Sequence, residues 1–456
     1  MPESMHTHGP DTEALAAELV AFARSRIETD PDRLGHPLTV EQFRTRCGPT
    51  ITPDGIGGSK ALGVFAEVLA PACLSVDHPR YLSFVPAAPT EEAVLFDLVV
   101  GAFSIYGGSW MEGAGAVYAE NEALGWLSEL CGLGPAAGGV FVSGGTVGNL
   151  SALVGARDAA EARLAAAGRP RPDRWAFVIS ATAHSSIPSA AKIMDAEVIA
   201  VDTGPDRRLT GAAVAAVLDE HGDRVAAVVA TAGTTNLGVV DDLASIGSVC
   251  NERNVFFHVD GAYGAAALAV ESVRPLFAGI ELADSVIIDP HKWLFAPYDC
   301  CALLWRDPDQ GRAAHAQHAD YLAFLDTHGD WNPSDFAIHL TRRSRGLPFW
   351  FSLATHGTDA YAAAIAVTLD LATTAARRIE AAEHLELMWE PELSVVVFAR
   401  RGWTEADYQQ WTEMMLEQGE AFVVPSRHDG EPVLRFCFVN PRTTVADIDT
   451  ILESLR

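Results

Sequence analysis

From about residue 85 to 305 the chain alternates short apolar runs with longer stretches of helical periodicity. The runs are GGVFVSG, WAFVISA, AEVIAVD, VAAVVATA, VFFHVDG and DSVIIDP. Each is rich in Val, Ile, Ala or Phe, and most end at Gly, Ser, Asp or Pro. Polar residues do not alternate within them, which is the pattern of strands covered by helices on both faces. Between them lie NLSALVGARDAAEARLAAA and DDLASIGSVCNERN, which have helical spacing. Strand-helix alternation of this kind predicts an α/β fold with a mainly parallel sheet.

The flanks read differently. Residues 11–29, DTEALAAELVAFARSRIET, predict an amphipathic helix capped by Asp11, with Leu15, Leu19, Val20 and Phe22 on one face. ITPDGIGG then reads as a connecting arm. Residues 355–380 predict one long Ala-rich helix. After it SVVVFAR, the helical TEADYQQWTEMMLEQG, AFVVPS, VLRFCFV and the helical VADIDTILESL predict a small α+β domain. This divides the chain into an N-terminal helical arm (1–75), a large domain (76–360) and a C-terminal small domain (361–456).

Composition narrows the partners. The chain has 456 residues, 49% of them hydrophobic, enough for a large core. Its formal net charge of −28 repels phosphate backbones and anionic lipid, so neither nucleic acid nor a membrane surface is expected as a partner. No apolar run is long enough to span a bilayer. MPESMHTHGPDTEALAAEL has no basic region followed by an apolar one, so no secretory leader is expected. The seven cysteines are scattered, which predicts neither a disulfide framework nor a metal site, and the expected compartment is the cytoplasm.

Ligands of open α/β sheets bind at the carboxyl ends of strands, and four unusual polar features fall there. Ser143-Gly144-Gly145-Thr146 turns from a strand into a helix, where free N–H groups and a hydroxyl make a phosphate cradle. A plain tight turn explains the same residues. His184, after WAFVISATA, is placed to stack on a flat ring or simply to begin a helix. Asp260, at the end of VFFHVD, needs a partner such as a protonated pyridine nitrogen; a helix cap or metal ligand are the alternatives. Lys292 is followed by Trp293, Leu294 and Phe295. Burial among such groups lowers an amine's pKa and makes a neutral nucleophile accessible, although a surface lysine fits an isolated His-Lys pair as well.

Taken together, phosphate turn, His, Asp and Lys in this order, with HVDGAY, DPHKW and ATAGTTNLGVVDDL around them, resemble the group II pyridoxal 5′-phosphate (PLP) decarboxylases, the aromatic-L-amino-acid decarboxylase family. The resemblance covers roughly residues 75–360 well and the rest more loosely. It implies a fold-type-I PLP enzyme with a seven-stranded-type sheet, acting at the α-carbon of an L-amino acid as a homodimer. By position, Gly145 and Thr146 bind phosphate, His184 stacks on the ring, and Thr234 sits beneath it or near its substituents. Asp260 pairs with the ring nitrogen, Ala262 packs on the ring, Ser285 and His291 lie near the phosphate, and Lys292 holds the cofactor as a Schiff base. Phe84 and Phe103 fall in regions that line the substrate side. Gly107 and Gly108 either leave room for a bulky substrate or belong to a loop with no such meaning. Asp289 stands where many members have Asn, and its role is open.

The family carries a mobile loop whose tyrosine protonates the α-carbon. Counting back from RRSRGLPFWF places that position near Pro333, and Thr327–Leu340 contains no tyrosine. Tyr321 lies earlier and needs a register shift to serve; His328, Asp330, Asp335 and His339 are the other polar candidates. On this count the expected reaction is decarboxylation diverted to oxidative deamination, giving an aldehyde. A bulky S-conjugated cysteine is a candidate substrate, as in the antibiotic-pathway (lincosamide) branch. The alternatives are simple decarboxylation to an amine and a C–S β-lyase.

Overall fold

Apolar runs without polar alternation lose contact with water on both faces only when a sheet is sandwiched between helices. In the computed structural model, which describes residues 6, 8–29, 34–317 and 331–456, the six runs form such a sheet. They are β1 (Gly138–Val142), β2 (Ala176–Ser180), β3 (Glu197–Val201), β4 (Val225–Thr231), β5 (Phe256–Asp260) and β6 (Ser285–Ile288). A seventh strand, β7 (Cys301–Trp305), was not singled out by the apolar pattern. The order is β1-β7-β6-β5-β4-β2-β3. Strands β2 to β6 pair in parallel, whereas β7 runs antiparallel to both β1 and β6.

Successive strand residues point to opposite faces, and the core divides accordingly. Val140, Val142, Ile287 and Leu303 join one buried cluster with Leu153 of the helix Gly145–Ala166. Phe141, Val286, Ile288 and Leu304 join the other, with Leu124 and Leu127 of the helix Trp110–Leu130.

The C-terminal strands are β8 (Leu385–Trp389), β9 (Val395–Arg400), β10 (Pro425–His428) and β11 (Glu431–Cys437). They form an antiparallel sheet in the order β10-β11-β9-β8. Asp429 and Gly430, with φ of 52° and 85°, turn the β10–β11 hairpin. Positive φ at both central residues is what a two-residue hairpin with right-twisted strands requires.

Two expected helices differ. The long helix expected over 355–380 is Thr358–Glu380; it begins after Gly357, whose φ of 77° parts it from a further helix, Leu347–His356. The first helix runs Pro10–Glu28 with Gly9 at its N-cap, and Asp11 lies inside the first turn instead of capping it. Proline at the first helical position supplies the preset φ, and the Asp11 charge meets the positive end of the helix. No residue of this helix is buried. Among the described residues no helix is long and apolar enough to cross a membrane.

Candidate active site

The carboxyl ends of β1, β2, β4, β5 and β6 open on one side of the sheet, and a cavity of about 610 Å³ lies there. That volume suits a small organic ligand. Each strand end contributes. After β1 come Gly144, Gly145 and Thr146; after β2, His184 and Ser186; after β4, Gly233 and Thr235. Asp260 and Ala262 follow β5, and Asp289, His291 and Lys292 follow β6. Because β7 runs backwards, its leading turn also reaches this side and brings Tyr298 and Asp299 to the wall. Phe84 and, from β11, Arg435 complete it.

The turn after β1 enters the helix Gly145–Ala166, which has no side-chain cap, so its first N–H groups remain available to an anion. A Cβ at Gly145 would lie 3.1 Å from Asp289 Oδ2, so the close approach of turn and carboxylate depends on glycine there.

Asp260 is 5% exposed. Its Oδ2 accepts from Asn149 Nδ2 at 2.9 Å, and its Oδ1 accepts from the Ala262 N–H at 3.2 Å. Asn149 also donates to Ser186 Oγ at 2.9 Å, and its Oδ1 lies 2.8 Å from His258 Nε2. His258 is fully buried, and burial lowers its pKa to about 4 despite the pull of Asp260. Its Nδ1 lies 2.8 Å from Ser285 Oγ. Ser186 in turn lies 2.8 Å from His184 Nδ1.

Lys292 Nζ lies 3.0 Å from Asp289 Oδ2, and His291 Nε2 is 3.7 Å from the same oxygen. Burial alone would lower the Lys292 amine, as the sequence led us to expect. The negative charges of Asp289 and Asp260, with the Asp289 hydrogen bond, outweigh it and raise the amine above its ordinary value. Burial likewise pushes the Asp289 carboxyl up, but Lys292 and His291 bring it below its ordinary value.

Of the expected site residues, Gly145, Thr146, His184, Asp260, Ala262, His291, Lys292 and Phe84 line the cavity. Thr234, Ser285 and Phe103 are placed elsewhere. The Thr234 hydroxyl accepts from the Val239 N–H at 3.1 Å and closes its own loop, leaving Gly233 and Thr235 to face the cavity. Ser285 starts β6, at the opposite end from Asp289; a strand advances about 3.3 Å per residue, which puts it far from the phosphate turn. Phe103 ends the helix Glu91–Phe103 and is 74% exposed.

Asn149 and Arg435 were not anticipated. Asn149 is 1% exposed within a helix, and its position late in the phosphate-turn word was the available signal. Arg435 interrupts the apolar run VLRFCFV, which is a signal in itself. Its guanidinium donates to the backbone carbonyls of Thr235 and Phe84.

The stretch read as the tyrosine position is packed into the body of the protein. Pro333–Asp335 is a single 3₁₀ turn in which Pro333 is buried. Asn332 Oδ1 accepts from the Trp110 N–H at 3.0 Å, Ser334 N donates to Gly108 O at 3.1 Å, and Trp331 stacks on Phe336 at 4.0 Å. Neither Asp335 nor His339 lines the cavity. Tyr321, His328 and Asp330 lie outside the described residues. Gly107 and Gly108 serve packing: a Cβ would meet Ser344 Oγ at 2.6 Å from one and the Tyr106 hydroxyl at 2.5 Å from the other.

An anion cradle, a carboxylate, an imidazole and an amine thus converge on one cavity. They fit the phosphate, ring nitrogen, ring face and aldehyde of PLP. Comparison with known proteins agrees. The pyridoxal-dependent decarboxylase conserved domain matches residues 59–401. The chain is 30% identical over 456 residues to the aromatic-L-amino-acid decarboxylase of Bacillus atrophaeus, covering 97% of this chain and 93% of that protein. It is 32% identical over 420 residues to the L-2,4-diaminobutyrate decarboxylase of Rhizobium meliloti, covering 87% and 82%. Its fold matches Oryza sativa TDC, solved with PLP and tryptamine, with a TM-score of 0.90, 22% identity and coverage of 98% and 99%. The chain therefore belongs to the pyridoxal-dependent decarboxylases, with the α/β fold of fold-type-I PLP enzymes, PLP as its cofactor and carboxy-lyase chemistry on amino acids.

Proposed function

We propose that the protein converts an aromatic L-amino acid into its amine, with loss of CO₂. When bound, PLP supplies an electron sink for the charge left on the α-carbon. Gly145 and Thr146 hold its phosphate, with His291 beside them, and His184 stacks on its ring. Ala262 packs against the other side, and Asp260 keeps the ring nitrogen charged. Lys292 anchors the cofactor through its amine.

The observation that carries the amine outcome is the burial of Pro333 in packing away from the cavity. A missing tyrosine there says nothing about the proton donor, so the reason for expecting oxidative deamination falls away. Tyr321 takes the donor role in this reading.

An aromatic substrate is favoured by the cavity wall. Phe84, Val85, Tyr298, Val424 and Pro425 give it an apolar side. Asp299, beside Tyr298 on this wall, is paired with Arg345 at 2.8 Å. Arg435 gives the wall a positive charge that draws a carboxylate into a strongly acidic protein.

The same reading includes a homodimer in the cytoplasm and the three-part division at residues 75 and 360. Leu95, Leu98, Val99 and Phe103 are 41–74% exposed on one helix, with Met111 beyond it, a patch that an isolated subunit rarely leaves open. Phe103 then serves a substrate pocket only as the partner's residue.

The test is product analysis by mass spectrometry, in air and without oxygen. Substrates are aromatic L-amino acids, L-2,4-diaminobutyrate and cysteine S-conjugates. Amine from an aromatic substrate, with no oxygen uptake, is expected. Aldehyde with peroxide would return the oxidative reading, and thiol release from an S-conjugate would favour the β-lyase.

A further inference from the structure

The chain Ser285–His258–Asn149–Asp260 has one self-consistent arrangement of hydrogens. Asp260 Oδ2 only accepts, so the Asn149 atom 2.9 Å away must be its amide nitrogen. Asn149 Oδ1 therefore faces His258 Nε2 at 2.8 Å, which must carry a hydrogen. A buried imidazole lowered to about 4 is neutral near pH 7, so His258 Nδ1 is bare and accepts from the Ser285 hydroxyl at 2.8 Å. Three donors point the same way, toward the Asp260 carboxylate.

The second amide hydrogen of Asn149 goes to Ser186 Oγ at 2.9 Å. Ser186 then spends its own hydrogen on His184 Nδ1 at 2.8 Å, and its backbone N–H approaches the same nitrogen at 3.2 Å. Nδ1 of His184 is thus an acceptor, and its hydrogen sits on Nε2. One side chain, itself 1% exposed, governs both groups.

We infer that Asn149, held by His258, is a positioning residue that fixes the Asp260 carboxyl group against the ring nitrogen and the tautomer of His184 against the ring face. This rests on the roles proposed above for Asp260 and His184. Without Asn149, Asp260 loses a donor to the oxygen bearing its charge, and Ser186 is free to turn. Without a donor at position 258, the Asn149 amide is free to flip and present its oxygen to Asp260. Glutamine at 258 keeps a donor for Asn149 Oδ1 and removes the titrating ring.

The experiment uses holoenzyme loaded with PLP labelled with ¹⁵N in the ring, together with ¹⁵N-labelled histidine. In the wild type the ring nitrogen signal should be that of the protonated form, and His184 should carry its hydrogen on Nε2. Asn149→Leu should move the ring signal toward the unprotonated form and mix the His184 tautomers. Its kcat should fall by about tenfold or more, as for a lost hydrogen bond to a charge, with KM little changed. His258→Leu should do the same to the ring signal, and His258→Gln should restore it. If Asn149→Leu does not fold or load, the pair His258→Leu and His258→Gln decides. Wild-type signals from both ¹⁵N labels in Asn149→Leu, or equal ring signals in the two His258 variants, would overturn the inference. Asp260→Asn separates the underlying reading: a ring nitrogen still protonated there removes the role of Asp260, whatever Asn149 does.

Discussion

Asp289 Oδ2 stands 3.0 Å from Lys292 Nζ and holds that amine in its charged form. A charged amine has no lone pair with which to attack an aldehyde. With Lys292 in its proposed role, Asp289 should therefore set the pH at which the cofactor-free protein captures PLP. Removing its charge in Asp289→Asn should lower the Lys292 pKa, since burial then acts against the weaker pull of Asp260. The rate of PLP capture, followed by visible absorbance, should reach half its maximum at a lower pH than in the wild type. Borohydride reduction should fix the cofactor to Lys292 in both proteins. An unchanged profile would show that Asp289 does not control the amine.

Proton delivery separates Tyr321 from Pro333. A general acid contributes about 10²–10⁴-fold. Tyr321→Phe should therefore reduce amine formation at least a hundredfold, or about that, and oxygen uptake should appear as the α-carbon charge persists. Pro333→Ala should unfold at a lower temperature and keep its amine product, because Pro333 is buried in a turn outside the cavity. Full amine formation by Tyr321→Phe would assign the proton to another group.

Acid should weaken the fold through His258. Its pKa is lowered from 6.5 in the unfolded chain to about 4 in the native state. Between those values the unfolded chain binds a proton that the native protein refuses, so stability falls as pH falls through this window. The lowering corresponds to about 3 kcal/mol. Relative to His258→Gln, which has nothing to titrate there, the wild type should lose up to about that much. Urea unfolding of both proteins in steps across the window measures it, and parallel curves would refute it.

Assembly is tested on the exposed helix face. The double variant Leu98→Glu with Phe103→Glu adds two charges where apolar side chains are 58% and 74% exposed. Analytical ultracentrifugation should find a dimer for the wild type and a monomer for the variant. An active wild-type monomer would end the dimer proposal.

Six strands of the large sheet were legible as continuous apolar runs: β1, β2, β4, β5 and β6 are buried almost throughout, and β3, at the sheet edge, keeps the same kind of run although it is only partly buried. β7, CALLW, follows closely on β6 and the DPHKW turn and is fully buried, with Pro297 and Asp299 marking its start; the apolar pattern nevertheless did not single it out. β8, LELMW, is only partly buried and has no comparable run. The break at Gly357 lies within a stretch whose apolar spacing continues on both sides. In the site, residues immediately past strand ends were legible: Lys292, Asp260, His184 and Gly145 all line the cavity. Residue facing within a loop was not, so Thr234 was named where Thr235 faces inward. The charge of Lys292 was misjudged because its apolar sequence neighbours are visible in the chain, whereas the Asp289 carboxylate at 3.0 Å depends on the turn between them.

Arg435 also fixes a sequence of events in the making of the protein. It donates to Phe84 O, 351 residues earlier in the chain, and to Thr235 O, 200 residues earlier. Those carbonyls leave the ribosome long before the guanidinium that donates to them in the wall. Large proteins fold their earlier parts first during synthesis, and every strand of the seven-stranded sheet, with Lys292, is made before Arg435. The wall that Arg435 closes is therefore the last part of the cavity to have its residues made, because β11 follows every strand of the large sheet.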